Sequence, residues 1–511
     1  MTYGASKGKG QLARSSIFNL VGQVLPMLVG IVTIPYIVRG LGTDGYGILS
    51  IAYTVLGYFS IFDLGLSRAT VKFVAEHLSP EKAHKIPELV WTSLTLLVAI
   101  GSLGGLLVAG FVPIVVTRLF KMPPTFIGEA RLCLFILCAS MPVMLGNDAI
   151  RGVLEATQRF DLVNYVKVPG SVCFYLLAAA AIPFHVKVSR IVMLLVMTRI
   201  ITACAYLALC FRVIPALKSG FSISREAVRL ITSFGGWIMV SNIAGPIFAS
   251  LERFMIASVL SVGMLTYYSV PVDLVGKLLI FPGSIAPALF PYFSYHGNSG
   301  RSQVSDVTSR SVKYLLLVMT PVTAIFVLFA RDILRLWMGA DFAAHSTAVL
   351  QIIALATFLN AFAYVPYSSV QALGRPDLKA VLDIAVLPLY AISCWWLMRS
   401  MGINGAALAK LAITIIDTAF LFGFAWRMKA FSLRECISGP LLRALMASAG
   451  LFVVGFGIAA LHAKLVVTLP LLGICFVCYL VTFWIVAVDA DERSVIKGVS
   501  PLLLLKRPST S

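Results

Sequence analysis

Apolar runs long enough to cross a bilayer follow one another along the whole chain, separated by short polar connections. They are long and apolar on every side. The short alternating segments of a barrel strand are not seen, so helices are the spanning solution that satisfies the backbone. The pattern predicts fourteen spans, over 15–38, 45–67, 88–113, 126–150, 163–184, 189–212, 228–252, 260–290, 313–337, 345–371, 378–399, 404–426, 442–461 and 467–487. Pro282, Pro287 and Pro291 interrupt the eighth, which is expected to be kinked or broken. Between the first two spans, IPYIVRGLGTDGYG (34–47) supplies glycines for a tight reversal and places Arg39 near the end of span one.

Composition sharpens this into a polytopic membrane protein. The chain has 511 residues, of which 59% are hydrophobic and 12% charged; a soluble domain carries about a quarter charged residues. No connection is long enough to hold a soluble domain. Of the 41 Lys and Arg, 27 fall in the connections on the side of the termini, 11 on the other side, and Arg199, Lys277 and Lys410 lie within spans. This split places both termini, 1–14 and 488–511, in the cytoplasm. It also assigns the net charge of +19 to topology and contact with anionic membrane lipid, with no nucleic-acid partner. The first apolar run is long enough to span, so no cleavable signal peptide is expected.

The chemistry of an enzyme is missing from the pattern. Cys475 and Cys478 have redox-motif spacing but sit inside the last span, where a free Cys packs as a small hydrophobe. The six His pair with no Cys, carboxylate or second His at ligand spacing, so neither a metal nor a cofactor is expected. Neither a Walker P-loop nor a G-x-S-x-G occurs, which leaves an ATPase or hydrolase without support.

The chain repeats itself. LEATQRFDL (154–162) aligns with VQALGRPDL (370–378) at an offset of 216, matching Arg159 to Arg375 and Asp161 to Asp377. FDLGLSR (62–68) resembles VDLVGK (272–277), with Asp63 over Asp273. Arg39 matches Arg253 more loosely. Six spans repeated in the same order and orientation predict an all-α fold of two parallel six-helix lobes, 15–212 and 213–427, around a central cavity. An appended helix pair occupies 440–487.

A span ending PYIVRGLGTDGYG, followed by one ending FDLGLSRA, resembles the polysaccharide-transporter branch of the multidrug/oligosaccharidyl-lipid/polysaccharide exporter superfamily, which includes the O-antigen flippases. ERFMIASVLSVGMLTYYSVPVDL (252–274) and ALGRPDLKA (372–380) look like the matching features of the second half, and the resemblance runs from about residue 12 to 490. It implies a MATE-like fold and transport without catalysis. The cargo it implies is a lipid-linked oligosaccharide of the undecaprenyl-pyrophosphate type, moved to the outer leaflet by alternating access. Polysaccharide polymerase or assembly proteins are the implied partners.

An anionic head group needs cations facing a wet cavity, and an ionisable group in a span is costly unless it faces a cavity or a partner. Arg68, Arg199, Lys277 and Lys410 are therefore candidates for the substrate cavity. Arg39, Asp44, Glu252 and Arg253 are candidates for an outer hinge or gate. Their structural alternatives are Arg39 bonding carbonyls or Asp44, and Arg253 pairing with Glu252 or snorkelling. Arg159, Asp161, Arg375 and Asp377 read as inner-loop ion pairs with a structural or gating role. Asp63, Asp148, Asp273 and Asp417 are candidates for ion coupling, with Asp417 alternatively a counter-charge for Lys410 or another cation. Competing functions are a multidrug or organic-cation exporter of the same fold and a scaffold of a polysaccharide assembly complex. A membrane glycosyltransferase or polymerase would need a catalytic loop that the chain lacks.

Overall fold

The computed structural model describes residues 7–79, 81–296, 301–375, 377–428, 430, 439–460 and 465–488. Among these the regular structure is helical, in the order α1 (Lys7–Tyr58), α2 (Leu66–Glu76), α3 (Ile86–Ile114), α4 (Pro124–Ala156), α5 (Phe160–Ala181), α6 (Val188–Val213), α7 (Arg225–Val259) and α8 (Val262–Gly276). It continues with α9 (Ile280–His296), α10 (Arg301–Leu328), α11 (Ala330–Trp337), α12 (Ala340–Ala372), α13 (Asp377–Met401), α14 (Ile403–Arg427), α15 (Pro440–Ala460) and α16 (Leu465–Val486). Eleven stretches of the described residues are helical, long and apolar enough to cross a membrane. The chain divides into two compact units, one of Met1–Val270 with Asp383–Ala406, the other of Pro271–Leu382 with Ala407–Ser511.

The first unit holds the reversal expected at 34–47. Only Gly42 of its glycines takes a left-handed backbone (φ 72°), and it separates the two helices that make up α1. Gly40 and Gly47 have another task. A Cβ on Gly40 would collide with Ile182, and one on Gly47 with the carbonyl oxygen of Val262. After α1 the chain tightens into a 3-10 segment, Phe59–Asp63, then passes through left-handed Leu64 and Gly65 into α2. The largest helix pair of this unit, α3 on α4, is drawn together by small residues, a common device where lipid supplies no hydrophobic drive. A Cβ on Gly101 would lie 2.7 Å from Pro142 Cα, and one on Gly105 2.5 Å from the Cys138 carbonyl oxygen. A buried core of Val74, Val90, Val153, Leu154 and Tyr206 closes one end. α7 starts on Ser224, whose hydroxyl accepts from the backbone N–H of Glu226 (3.1 Å) and Ala227 (3.4 Å).

In the second unit the eighth span is broken, as its prolines suggest. A 3-10 segment, Lys277–Leu279, separates α8 from α9. Pro282 lacks the N–H that would bond the Leu278 carbonyl and its ring crowds that group, which forces the tighter turn. Pro287 and Pro291 lie among residues whose side chains are outside those described. The ninth span needs correction. The membrane-length helix is Val304–Leu328, and 330–337 is a separate short helix, α11, that buries Ala330 and Leu334 and exposes Arg331 and Arg335. Lys313, expected at the first position of the span, is therefore well inside it and 2% exposed. The apolar pattern ran on because α11 is amphipathic and its buried side extends the run. α15 and α16 dock on α10 through a buried polar relay. Thr320 donates to Ser448 (3.1 Å), and the Tyr479 hydroxyl donates to the Leu316 carbonyl (3.1 Å).

The 216-residue repeat is visible as duplicated geometry. In one copy Arg159 Nε and Nη2 donate to the two carboxylate oxygens of Asp161, each at 3.0 Å. In the other, Arg375 Nε and Nη2 donate to Asp377 at 3.0 Å each. Both arginine N–H groups bond back to the preceding helix, at Leu154 and Val370. The residue before each arginine is left-handed, Gln158 (φ 58°) and Gly374 (φ 81°). A side chain in that region costs about 1 kcal/mol or more, partly offset by the entropy of a glycine. Gln158→Gly is expected to stabilise the fold by about 0.5 kcal/mol and Gly374→Gln to destabilise it by about 1 kcal/mol. Thermal melts of the purified protein check both signs.

Candidate functional site

The first unit brings together charges that lie far apart in sequence. On α4, Asp148, Arg151 and Glu155 share one face by their i, i+3, i+7 spacing. Arg151 bridges Asp148 (3.4 Å) and Glu155 (3.2 Å), all three about one-third exposed. α6 packs on α4 and presents Arg199, whose charge acts on Asp148 together with those of Arg151, Asp63 and Glu155. Asp63 is 8% exposed and capped locally, accepting from Ser67 N–H (3.0 Å) and Ser67 Oγ (2.6 Å).

Arg151 forms ion pairs, whereas Arg199 forms none among the described residues. Its guanidinium lies 5.4 Å over the ring of Phe174 on α5, and its buried Nε has no hydrogen-bond partner among the described residues. Asp148, the carboxylate closest to it electrostatically, is held by Arg151. Arg199 as a whole is half-buried, and an ionisable group in a span is costly unless it faces a cavity or a partner.

Of the predicted residues, Asp63 and Arg199 both act on Asp148 through their charges. Arg68, one turn beyond Asp63, is exposed and forms no ion pair or hydrogen bond among the described residues. Arg151 and Glu155 are not among the candidates that the sequence offers. The signal that could have found them is the i, i+3, i+7 alternation of sign with Asp148.

The outer hinge is knit, though not by the expected bonds. Arg39 is exposed and bonds neither Asp44 nor a carbonyl among the described residues. The Thr266 hydroxyl instead donates to the Thr43 carbonyl (2.6 Å), and the Asp44 carboxylate lies against Gly263. Lys121 joins the end of α7 to the start of α8. Its N–H donates to Ala257 O (2.9 Å), its Nζ to Val259 O (2.6 Å), and its carbonyl accepts from Val262 N–H (3.0 Å). Glu252 is 1% exposed and accepts from the Tyr390 hydroxyl at 2.8 Å, while Arg253 is half-buried beside it. Tyr268 is fully buried.

In the second unit Asp417 meets Lys379 at 2.6 Å, with side chains 12% and 21% exposed respectively. Its counter-charge is thus another cation than Lys410, which is half-buried on α14. Lys277 stands at the 3-10 break, half-buried and without an ion pair among the described residues. Asp273, half-buried on α8, lies four residues before it. Among the described residues no group of three His, Cys, Asp or Glu could hold a metal ion.

Known proteins give this geometry a context. The chain is 28% identical to a putative O-antigen transporter of Shigella flexneri over 418 residues, covering 82% of this chain and 98% of that protein. Its fold matches that of the lipid II flippase MurJ in an inward closed conformation, with a TM-score of 0.69 at 13% identity over 92% of this chain and 99% of that one. It also matches an inward-facing multidrug resistance MATE family transporter of the MOP superfamily, with a TM-score of 0.67 at 14% identity over 81% of this chain and 99% of that one. The family model described as polysaccharide biosynthesis protein matches residues 12–296. That match spans more than half of the chain, which therefore belongs to the polysaccharide biosynthesis protein family, with a fold shared with the MATE transporter and MurJ.

Proposed function

We infer that the chain is a flippase that carries a lipid-linked oligosaccharide across a membrane for surface polysaccharide synthesis. The family, the O-antigen transporter relative and the flippase fold all support transport rather than catalysis. We propose further that the membrane is the bacterial inner membrane, with both termini cytoplasmic. The carrier is proposed to be a polyprenyl diphosphate of the undecaprenyl type. The two six-helix repeats, 15–212 and 213–427, alternate access for its head group, and polymerase or assembly proteins receive the product.

The observation that carries the site is Arg199. A diphosphate offers paired oxygens that suit a planar guanidinium fork, and that of Arg199 is held in place without an ion pair among the described residues. Cationic drugs would be repelled by the same group, which speaks against a drug exporter.

The test is reconstitution of the full chain in vesicles with a labelled polyprenyl-diphosphate-linked oligosaccharide, followed by an outer-leaflet accessibility assay. Wild type is expected to flip the label, and Arg199→Gln to slow it by about 10- to 100-fold, the worth of a charge-assisted hydrogen bond. No flipping by wild type would overturn the function. Unchanged flipping by Arg199→Gln at equal folded protein would remove Arg199 from the site.

A further inference from the structure

An arginine inside a span is normally aimed by a carboxylate, but the carboxylates near half-buried Arg199 are engaged elsewhere. Asp148 and Glu155 are bridged by Arg151, and Asp63 is taken by Ser67. What touches the Arg199 guanidinium is the ring of Phe174 at 5.4 Å. We propose that Phe174 is a positioning residue for Arg199, aiming its guanidinium at the diphosphate of the substrate. This rests on the reading of Arg199 as the anion-receiving group.

The chemistry favours a ring for this task. A carboxylate would orient the guanidinium by consuming its N–H donors. An aromatic face attracts the cation through its quadrupole and leaves the donors to an incoming phosphate. The ring is itself fixed. Tyr53 on α1 packs at 5.0 Å with the planes tilted by 41°, and Tyr175 meets it edge-on at 5.8 Å and 85°. Tyr175 has room because its neighbour on α1 is Gly30, where a Cβ would lie 3.3 Å from the Tyr175 ring. Three helices, α1, α5 and α6, thus converge on the direction of one cation. Position 174 falls within an apolar run of α5, where composition alone reads it as a lipid-facing or packing residue.

The experiment uses the full chain in vesicles and a labelled polyprenyl-diphosphate-linked disaccharide as probe. Half-saturating concentration and maximal rate are measured for wild type, Phe174→Leu, Phe174→Trp, Arg199→Gln and the Phe174→Leu/Arg199→Gln double variant. Phe174→Leu is expected to raise the half-saturating concentration by about 5- to 30-fold, with maximal rate nearly unchanged. Phe174→Trp, which keeps an aromatic face, restores it. In the Arg199→Gln background, Phe174→Leu is expected to add less than about twofold. An unchanged half-saturating concentration in Phe174→Leu overturns the proposal, as does an equal effect in both backgrounds, which marks general packing. If Arg199→Gln alone has no effect, the reading of Arg199 falls and the proposal falls with it. If Arg199→Gln acts and Phe174→Leu does not, only the positioning role is lost.

Discussion

Gly47→Val is expected to destabilise the folded protein by about 3 kcal/mol, the upper end of the cost of overpacking. A Cβ at this position would run into the Val262 carbonyl oxygen, and lie 2.7 Å from Val262 Cγ1 and 2.9 Å from its carbonyl carbon. Val262 has little freedom to retreat. Its N–H is bonded to the Lys121 carbonyl, and one turn later Thr266 is bonded to Thr43. Any shift that accommodates the side chain breaks one of these bonds. Gly423→Ala is the control, because a Cβ there meets nothing within 4 Å. It is expected to stabilise α14 by about 0.5 kcal/mol or more, the usual gain over glycine in a helix. Thermal melts of the two purified variants in detergent decide the matter. A Gly47→Val midpoint equal to wild type would show that the hinge is looser than its bonds imply.

Lys379→Met is expected to cost about 3 kcal/mol, since it leaves the carboxylate of Asp417 without its counter-charge. The pair spans 2.6 Å, and both side chains are mostly buried. Asp417→Asn is expected to be damaging too, because it removes the carboxylate that Lys379 bonds. Replacing both partners by apolar residues behaves differently, because no buried charge then remains. Lys379→Met/Asp417→Leu is expected to recover most of the loss. The measurement is yield of folded protein and melting midpoint for the two single variants and the double. A double variant as damaged as the sum of the singles would contradict a simple structural pair. It would point instead to a charge at 379 or 417 needed in its own right.

These cases show which features could be read in the chain and which could not. The spans could be read because a bilayer demands long apolar helices, and that demand acts on consecutive residues. The inner-loop pairs could be read too. Arg159 with Asp161 and Arg375 with Asp377 are two residues apart, so a local turn suffices to close each bond. The break in the eighth span followed from Pro282, whose effect on the preceding turn is equally local. Where a short amphipathic helix continued an apolar run, as at α11, consecutive residues misled and the ninth span was placed too late.

Hydropathy and the loop repeat are enough to specify a helical membrane protein, and its motifs to show a resemblance to polysaccharide transporters. Which charges come together is a matter of tertiary packing. Asp417 pairs with Lys379 rather than Lys410, and Arg199 lies over Phe174 instead of a carboxylate. Each of these depends on how neighbouring helices are rotated about their own axes. That rotation is set by packing over whole faces, such as the small-residue contact of α3 with α4. No short stretch of sequence encodes it.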